Sequence, residues 1–189
     1  MIARRPAVKF LVEDRPSHML AVSGLGTSTW DLTHAGDDPR NFCFIGAMGQ
    51  AAPFALGLAM AQPDKRVVLI TGDGELLMGI GSLATIANQA PANLAVVVLD
   101  NEAYIETGGQ ATATAGPTDL ELIAKGAGIA QTCTITQESE LGALRTQMLE
   151  ARGPFFAVVK VAPQALPLAF PHSFDGVTAI NRFCEAATS

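Results

Sequence analysis

The chain has 189 residues, 49% of them hydrophobic and 16% charged, a balance that excludes an intrinsically disordered protein and leaves material for one sizeable core. Its formal net charge is -6 and its longest basic run is the pair Arg4-Arg5, which argues against nucleic acid or an anionic membrane surface as the main partner. The apolar stretch near 10–12 is too short for a signal peptide, no stretch is long enough to span a bilayer, and the three cysteines form no CxxC pair, as expected of reduced thiols in a cytoplasmic protein.

In chain order, residues 19–23 are predicted as a first strand that ends in the polar turn Gly24-Leu25-Gly26-Thr27-Ser28-Thr29. A second short apolar run, 42–45, leads into Gly46-Ala47-Met48-Gly49, and the Ala/Leu/Gly-rich stretch from there to residue 60 suits a tightly packed helix with Pro53 early in it. Residues 67–71 form a continuous apolar run, as in a strand buried on both faces, and stop at Gly72-Asp73-Gly74. A helix is predicted over 75–90, closed by the turn Pro91-Ala92-Asn93, and 94–99 is the next buried strand, ending at Asp100-Asn101. Residues 103–117 read as loop, 118–126 as a helix with Thr118 as N-cap, 129–135 as a fifth strand, 138–152 as a helix, 155–161 as a sixth strand and 175–187 as a last helix. This alternation predicts βαβ units: an α/β fold in which residues 1–189 make a single doubly wound domain, with a mostly parallel six-stranded sheet flanked by helices.

In open parallel sheets ligands sit outside the carboxyl ends of the strands, where three polar or Gly-rich turns are expected here: 26–29, 72–75 and 100–103. Gly72 and Gly74 allow close approach of a ligand, and free N–H groups at a helix start favour a phosphate oxygen. A carboxylate at the same place, Asp73, repels a phosphate unless a cation lies between them. Mg2+ takes oxygen ligands, and Asp73, Asn101 at the next strand's end about 27 residues after Gly74, and a carbonyl just beyond it would lie on one edge of the sheet. The plain structural alternative is a turn in which Asp73 only caps the following helix.

Gly72-Asp73-Gly74 followed by Asn101 resembles the signature of the decarboxylase-type thiamine diphosphate (ThDP) enzymes, whose diphosphate-binding domain has the ThDP-binding fold. The resemblance implies Asp73, Asn101 and the carbonyl of Ala103 as Mg2+ ligands, with Tyr104 matching a tyrosine common just after them. Gly46-Ala47-Met48-Gly49 is similar to the family segment about 25 residues upstream of the motif aspartate, which implies that Met48 props the bent cofactor and the Gly46 carbonyl accepts from its amino group. Gly26, Thr27 and Ser28 resemble the first diphosphate-contacting turn, and Gly72, Gly74 and Glu75 complete the expected cofactor contacts. The stretches 72–83 and 100–110 and the tail from His172-Ser173 to Asn181-Arg182-Phe183 look like the sulfopyruvate and phosphonopyruvate decarboxylases. Two departures stand out: Glu75 replaces a small Ser or Ala of many relatives, and Glu106 replaces a Ser of the phosphonate and sulfonate enzymes.

In the resembled family the glutamate that activates ThDP comes from a separate pyrimidine-binding domain, for which this chain has no room. The resemblance therefore implies a split enzyme: a Mg2+/ThDP-binding subunit of a 2-oxoacid decarboxylase, inactive until a pyrimidine-binding subunit joins it in an α2β2 or larger hetero-oligomer. Glu106 is the acid of this chain nominated near the chemistry, as a proton donor after CO2 leaves if burial raises its pKa. His34 and His172 are further pocket candidates, with surface or capping roles as the alternative. Other readings stay open: a carboligase, a transketolase-like enzyme or an aldehyde-forming oxidoreductase on the same scaffold, a subunit that binds ThDP without turnover, or a nucleotide-binding module.

Overall fold

The computed structural model of the chain describes residues 1–173 and 175–189. In chain order the elements are α1 (Arg4–Val12), β1 (Met19–Ser23), α2 (Thr27–Ala35), β2 (Asn41–Cys43), α3 (Ala51–Ala61), β3 (Arg66–Gly72), α4 (Asp73–Met78), α5 (Ser82–Gln89) and β4 (Leu94–Asp100). There follow a small hairpin, β5 (Ala103–Tyr104) and β6 (Gln110–Ala111), then α6 (Leu120–Ala127), β7 (Gln131–Ile135), α7 (Leu141–Glu150), β8 (Phe155–Lys160) and α8 (Gly176–Thr188). The main sheet is six-stranded in the order β2-β1-β3-β4-β8-β7. Each of its neighbouring pairs is parallel.

Alternate residues of the central strands feed two cores. Val68, Ile70, Ala95 and Val97 pack with Val8 and Leu11 of α1, Leu32 of α2 and Leu144 and Met148 of α7. Val67, Leu69, Val96 and Val98 face the other way, onto Ala55 and Ala59 of α3, Leu76 of α4, Leu83 and Ile86 of α5 and Ala124 of α6. Burial on both faces is why these strands read as unbroken apolar runs. Complete burial of each Val, Leu or Ile contributes about 1.5–3 kcal/mol before entropy is counted. Helix α8 closes the β2 edge through Phe183 and Ala187 against Leu20 and Phe42.

Several expectations need correction. The first helix, α1, lies where only a short apolar stretch had been noted; its Ala7, Val8, Leu11 and Val12 are buried on one face. Arg4 and Arg5 of α1 both pair with the buried Asp31 of α2, and they also donate to the carbonyls of Gln164 and Pro167 in the tail. The predicted 75–90 helix is two helices, broken around Gly79, where an added Cβ would stand 1.9 Å from the Gly49 carbonyl oxygen. That backbone-to-backbone contact leaves no room for a side chain on α4's last turn. The predicted loop 103–117 contains the β5–β6 hairpin. Helix α6 is capped by Asp119, whose carboxylate accepts from the Leu122 amide at 3.0 Å, and not by Thr118.

The chain leaves β1 toward β2 on one side, and β3 lies on the other. The crevice at such a switch point, outside the strand carboxyl ends, is where this class of sheet holds ligands. Among the described residues no helix is long and apolar enough to cross a membrane.

Candidate functional site

A cavity of about 120 Å3 opens at that switch point, between the turns that follow β1, β3 and β4. Leu25, Gly26 and Thr27 line it from the first turn, Gly72, Asp73, Gly74 and Glu75 from the second, and Leu99, Asn101 and residues 103–107 from the third. Met48 closes it from the segment before α3. The β3–β4 register sets Gly72 beside Leu99, so Asp73 and the Asp100-Asn101 pair leave neighbouring strand ends together.

Gly26 is the N-cap of α2, at φ 101°, and supplies no side-chain hydrogen bond to the helix start. The orphan amides of a nine-residue helix therefore face the turn, a setting that suits an anion. Ser28, expected among the cofactor contacts, is buried and its hydroxyl donates to the Gly24 carbonyl at 2.8 Å, bracing the turn from within. Thr29 does the same at 2.9 Å and meets Ser23 Oγ at 2.7 Å.

Asp73 is 2% exposed and Asn101 7%. Asp73 Oδ2 accepts from Thr112 Oγ1 at 2.5 Å and from Thr114 Oγ1 at 3.0 Å. Thr114 also lies 2.8 Å from Asp100 Oδ1, and Asp100 Oδ2 is paired with Lys160 Nζ at 2.7 Å. Lys160 reaches Glu102 Oε1 as well, at 2.8 Å, so both neighbours of Asn101 are tied to one ammonium. Burial pushes the Asp73 carboxyl above its ordinary pKa; the Thr112 hydroxyl pulls against that, and the charge of Asp100 adds to it. Burial alone would lower the Lys160 pKa, but its bonds to Asp100 and Glu102 outweigh this and raise it. Glu102 takes a left-handed conformation, φ 60°, and Asn101 Oδ1 accepts from the Ala103 amide at 3.1 Å. Among the described residues no three His, Cys, Asp or Glu side chains gather as a metal cluster. Asp73, Asn101 and Ala103 line the same cavity, and each has an oxygen atom to offer, the donor type that Mg2+ takes beside a phosphate.

Tyr104 lies across Gly74: a Cβ there would come within 2.2 Å of the ring. Only glycine lets the ring close over the turn. Glu75, the unexpected acid, has a structural partner set. It is 2% exposed, and its Oε1 accepts from the amides of Gly49 at 2.9 Å and Ala51 at 3.2 Å, while Oε2 accepts from the Thr71 hydroxyl. It therefore caps the start of α3, which has no side-chain cap of its own, and fixes the turn that carries Met48.

Glu106 is exposed at the cavity edge and accepts from the Trp30 indole N–H at 2.6 Å. The burial expected for Glu106 is not supplied by this chain. Gly46 lines a neighbouring cavity of about 270 Å3, between the β2 end and the tail, together with Phe44, Phe170, His172 and Arg182. His172 is 3.8 Å from Asp37, and His34 is exposed on α2 away from both cavities. The sequence reading missed Thr112, Thr114 and Lys160. The two threonines are spaced by one alanine after Gly108-Gly109, but Thr114 lies in a single 3-10 turn over Ala113–Ala115, so an alternating strand pattern could not have paired them.

Residues 22–159 match the family described as thiamine pyrophosphate enzyme, C-terminal TPP binding domain, and the chain belongs to that family. It is similar to the sulfopyruvate decarboxylase subunit beta of Methanocaldococcus jannaschii, at 44% identity over 70% of this chain and 68% of that protein. The subunit beta of Methanothermobacter thermautotrophicus is 40% identical over 76% of this chain and 74% of its own length. The phosphonopyruvate decarboxylase of Streptomyces viridochromogenes is 35% identical over 86% of this chain but only 41% of its own. An X-ray structure of a protein from Mycobacterium smegmatis, assigned as a thiamin diphosphate-dependent enzyme, superimposes with a TM-score of 0.73 at 26% identity, over 86% of this chain and 32% of that one.

Proposed function

We propose that the chain is the Mg2+/ThDP-binding subunit of a split 2-oxoacid decarboxylase of the sulfopyruvate or phosphonopyruvate type, active with a pyrimidine-binding partner. The observation that carries the proposal is that buried Asp73 and Asn101 and half-buried Ala103 line one cavity with Gly26 and Thr27 at the uncapped start of α2. The named relatives support the lyase reading, and the word beta in two of those names supports a second subunit.

In this reading the side-chain oxygens of Asp73 and Asn101 and the carbonyl of Ala103 hold Mg2+. The amides near Gly26 and Thr27 would bind the diphosphate beside it. Met48 and the Gly46 carbonyl would hold the thiamine part of the cofactor, and Tyr104 closes the turn at Gly74. ThDP, when bound, supplies the electron sink for loss of CO2 from a small 2-oxoacid. Glu106, oriented by Trp30, would be the proton donor of this chain once the partner covers it. The partner contributes the activating glutamate, in an α2β2 or larger cytoplasmic assembly. It also brings most of the positive charge for a dianionic substrate, because this chain's net charge is -6 and Lys160 is held by two carboxylates.

Isothermal titration of the full chain with ThDP, with and without Mg2+, tests the site; Mg2+-dependent binding that Asp73→Ala removes is expected. CO2 release from a panel of 2-oxoacids, assayed with and without a co-expressed partner, tests the activity. Binding indifferent to Mg2+, or decarboxylation by the chain alone at full rate, would overturn the proposal.

A further inference from the structure

We infer that Thr112 and Thr114 are positioning residues for the cation site: their hydroxyls fix Oδ2 of Asp73 so that Oδ1 is the oxygen presented to the divalent ion. The inference rests on the Mg2+ reading above and says which part of the chain makes that site selective in geometry.

Counting protons leads to it. An ionised carboxylate only accepts hydrogen bonds, and each threonine hydroxyl has one proton to give. Thr112 lies 2.5 Å from Asp73 Oδ2, so its proton goes there. Thr114 has three acceptors within reach: Asp73 Oδ2 at 3.0 Å, Asp100 Oδ1 at 2.8 Å and Thr112 Oγ1 at 2.9 Å. Asp100 already has the Lys160 ammonium at 2.7 Å and the Glu102 amide at 3.2 Å. Lys160 sits on the other oxygen of Asp100, Oδ2, so Thr114's one proton is shared between Asp100 Oδ1 and Asp73 Oδ2, and Thr112 is the undivided donor to Asp73. Among the described residues no hydrogen bond from another residue ends on Asp73 Oδ1.

Both hydroxyls are themselves fixed. Thr112 and Thr114 are 5% and 4% exposed. The Thr112 amide donates to the Glu102 carbonyl at 3.0 Å, and the Ala115 amide to the Thr112 carbonyl at 3.2 Å. The β5–β6 hairpin thus carries Ala103 out of β4 and returns with the threonines against Asp73. A ligand carboxylate held on one oxygen by a rigid outer partner is the arrangement that raises metal affinity by removing alternative rotamers and bidentate modes.

The test uses Mn2+ as the cation and electron paramagnetic resonance of the full chain with ThDP, on Asp73→Ala, Thr112→Val, Thr112→Ser and Thr114→Val, each checked by thermal melting. Loss of Mn2+ binding in Asp73→Ala establishes the site. Mn2+ affinity about 10-fold or more weaker in either valine variant, with Thr112→Ser near wild type, supports the inference. So does recovery of wild-type ThDP affinity at saturating Mn2+, because a collapsed cavity does not recover. Should Thr112→Val fail to fold, Thr112→Ser and Thr114→Val carry the test, the latter with a smaller expected loss because Thr114 also donates to Asp100. Unchanged Mn2+ affinity in folded valine variants, with Mn2+ binding lost in Asp73→Ala, overturns the inference and leaves the Mg2+ reading standing. Undiminished binding in Asp73→Ala overturns both.

Discussion

Replacing Glu75 separates two roles that a buried acid can have. Its carboxylate accepts from the amides of Gly49 and Ala51 and from the Thr71 hydroxyl, with 2% of the residue exposed. Glu75→Ala leaves two buried amides without acceptors at about 1–3 kcal/mol each and removes packing besides, so a loss of about 3–5 kcal/mol is expected. Glu75→Gln keeps Oε1 for both amides. Its new NH2 faces Thr71, whose hydroxyl can turn to accept, so the expected loss is about 1 kcal/mol or less. Urea denaturation of the full chain, followed by circular dichroism, gives both values if the slope is unchanged between variants. ThDP affinity should fall in Glu75→Ala, because the freed amides flank Met48. Equal losses in the two variants would show that the charge matters and not the acceptor geometry. A Glu75→Ala loss below about 1 kcal/mol would refute the capping role altogether.

Gly79→Ala places a Cβ 1.9 Å from the Gly49 carbonyl oxygen, and backbone must move. Destabilisation of about 1–3 kcal/mol, or roughly 2–4 °C of melting temperature per kcal/mol, should come with weaker ThDP binding although residue 79 does not line the cofactor cavity. Gly74→Ala should cost a similar amount, about 1–3 kcal/mol, in the wild type but much less in a Tyr104→Ala background, since the obstacle is the Tyr104 ring; additive losses in that double-mutant cycle would contradict the contact. Burial would raise the Asp38 carboxyl, but the Arg40 guanidinium and amide, with the charge of Arg15, outweigh it and hold the pKa at about 2. The unfolded value is about 3.9, so this stabilisation is complete above that pH and is lost as pH falls toward the folded value. The stability gap between wild type and Asp38→Asn should therefore narrow between those two values in acid denaturation series, and a gap that stays constant would count against the pairing.

Strands were legible wherever both faces are buried: residues 67–71 and 94–99 were read within a residue or so of β3 and β4, because the two cores leave no polar position to interrupt the run. The break between α4 and α5 was not read, although Gly79 and Gly81 marked it locally. Its cause is the approach of Gly49 from a distant segment, which sequence spacing does not display. Helix α1 was missed because its apolar face is short and two arginines open it; one of them, Arg4, is buried only because Asp31 meets it. In the cavity the turns were foreseen as a group, since strand ends converge by topology. Hairpin returns do not: nothing local says that Thr112 and Thr114 come back onto Asp73, or that Glu75 looks away toward α3.

The contact between Trp30 and Glu106 gives this protein a built-in optical gauge. Trp30 is the single tryptophan of the chain, and its indole N–H sits 2.6 Å from a carboxylate at the cavity rim, with the Phe170 ring 5.8 Å away. Emission excited at the red edge of the ultraviolet band, where Tyr104 does not absorb, is therefore a signal from one known place. Whatever settles over that rim, small molecule or second subunit, alters the colour or brightness of that one emitter, and its arrival can be timed in a stopped-flow cell.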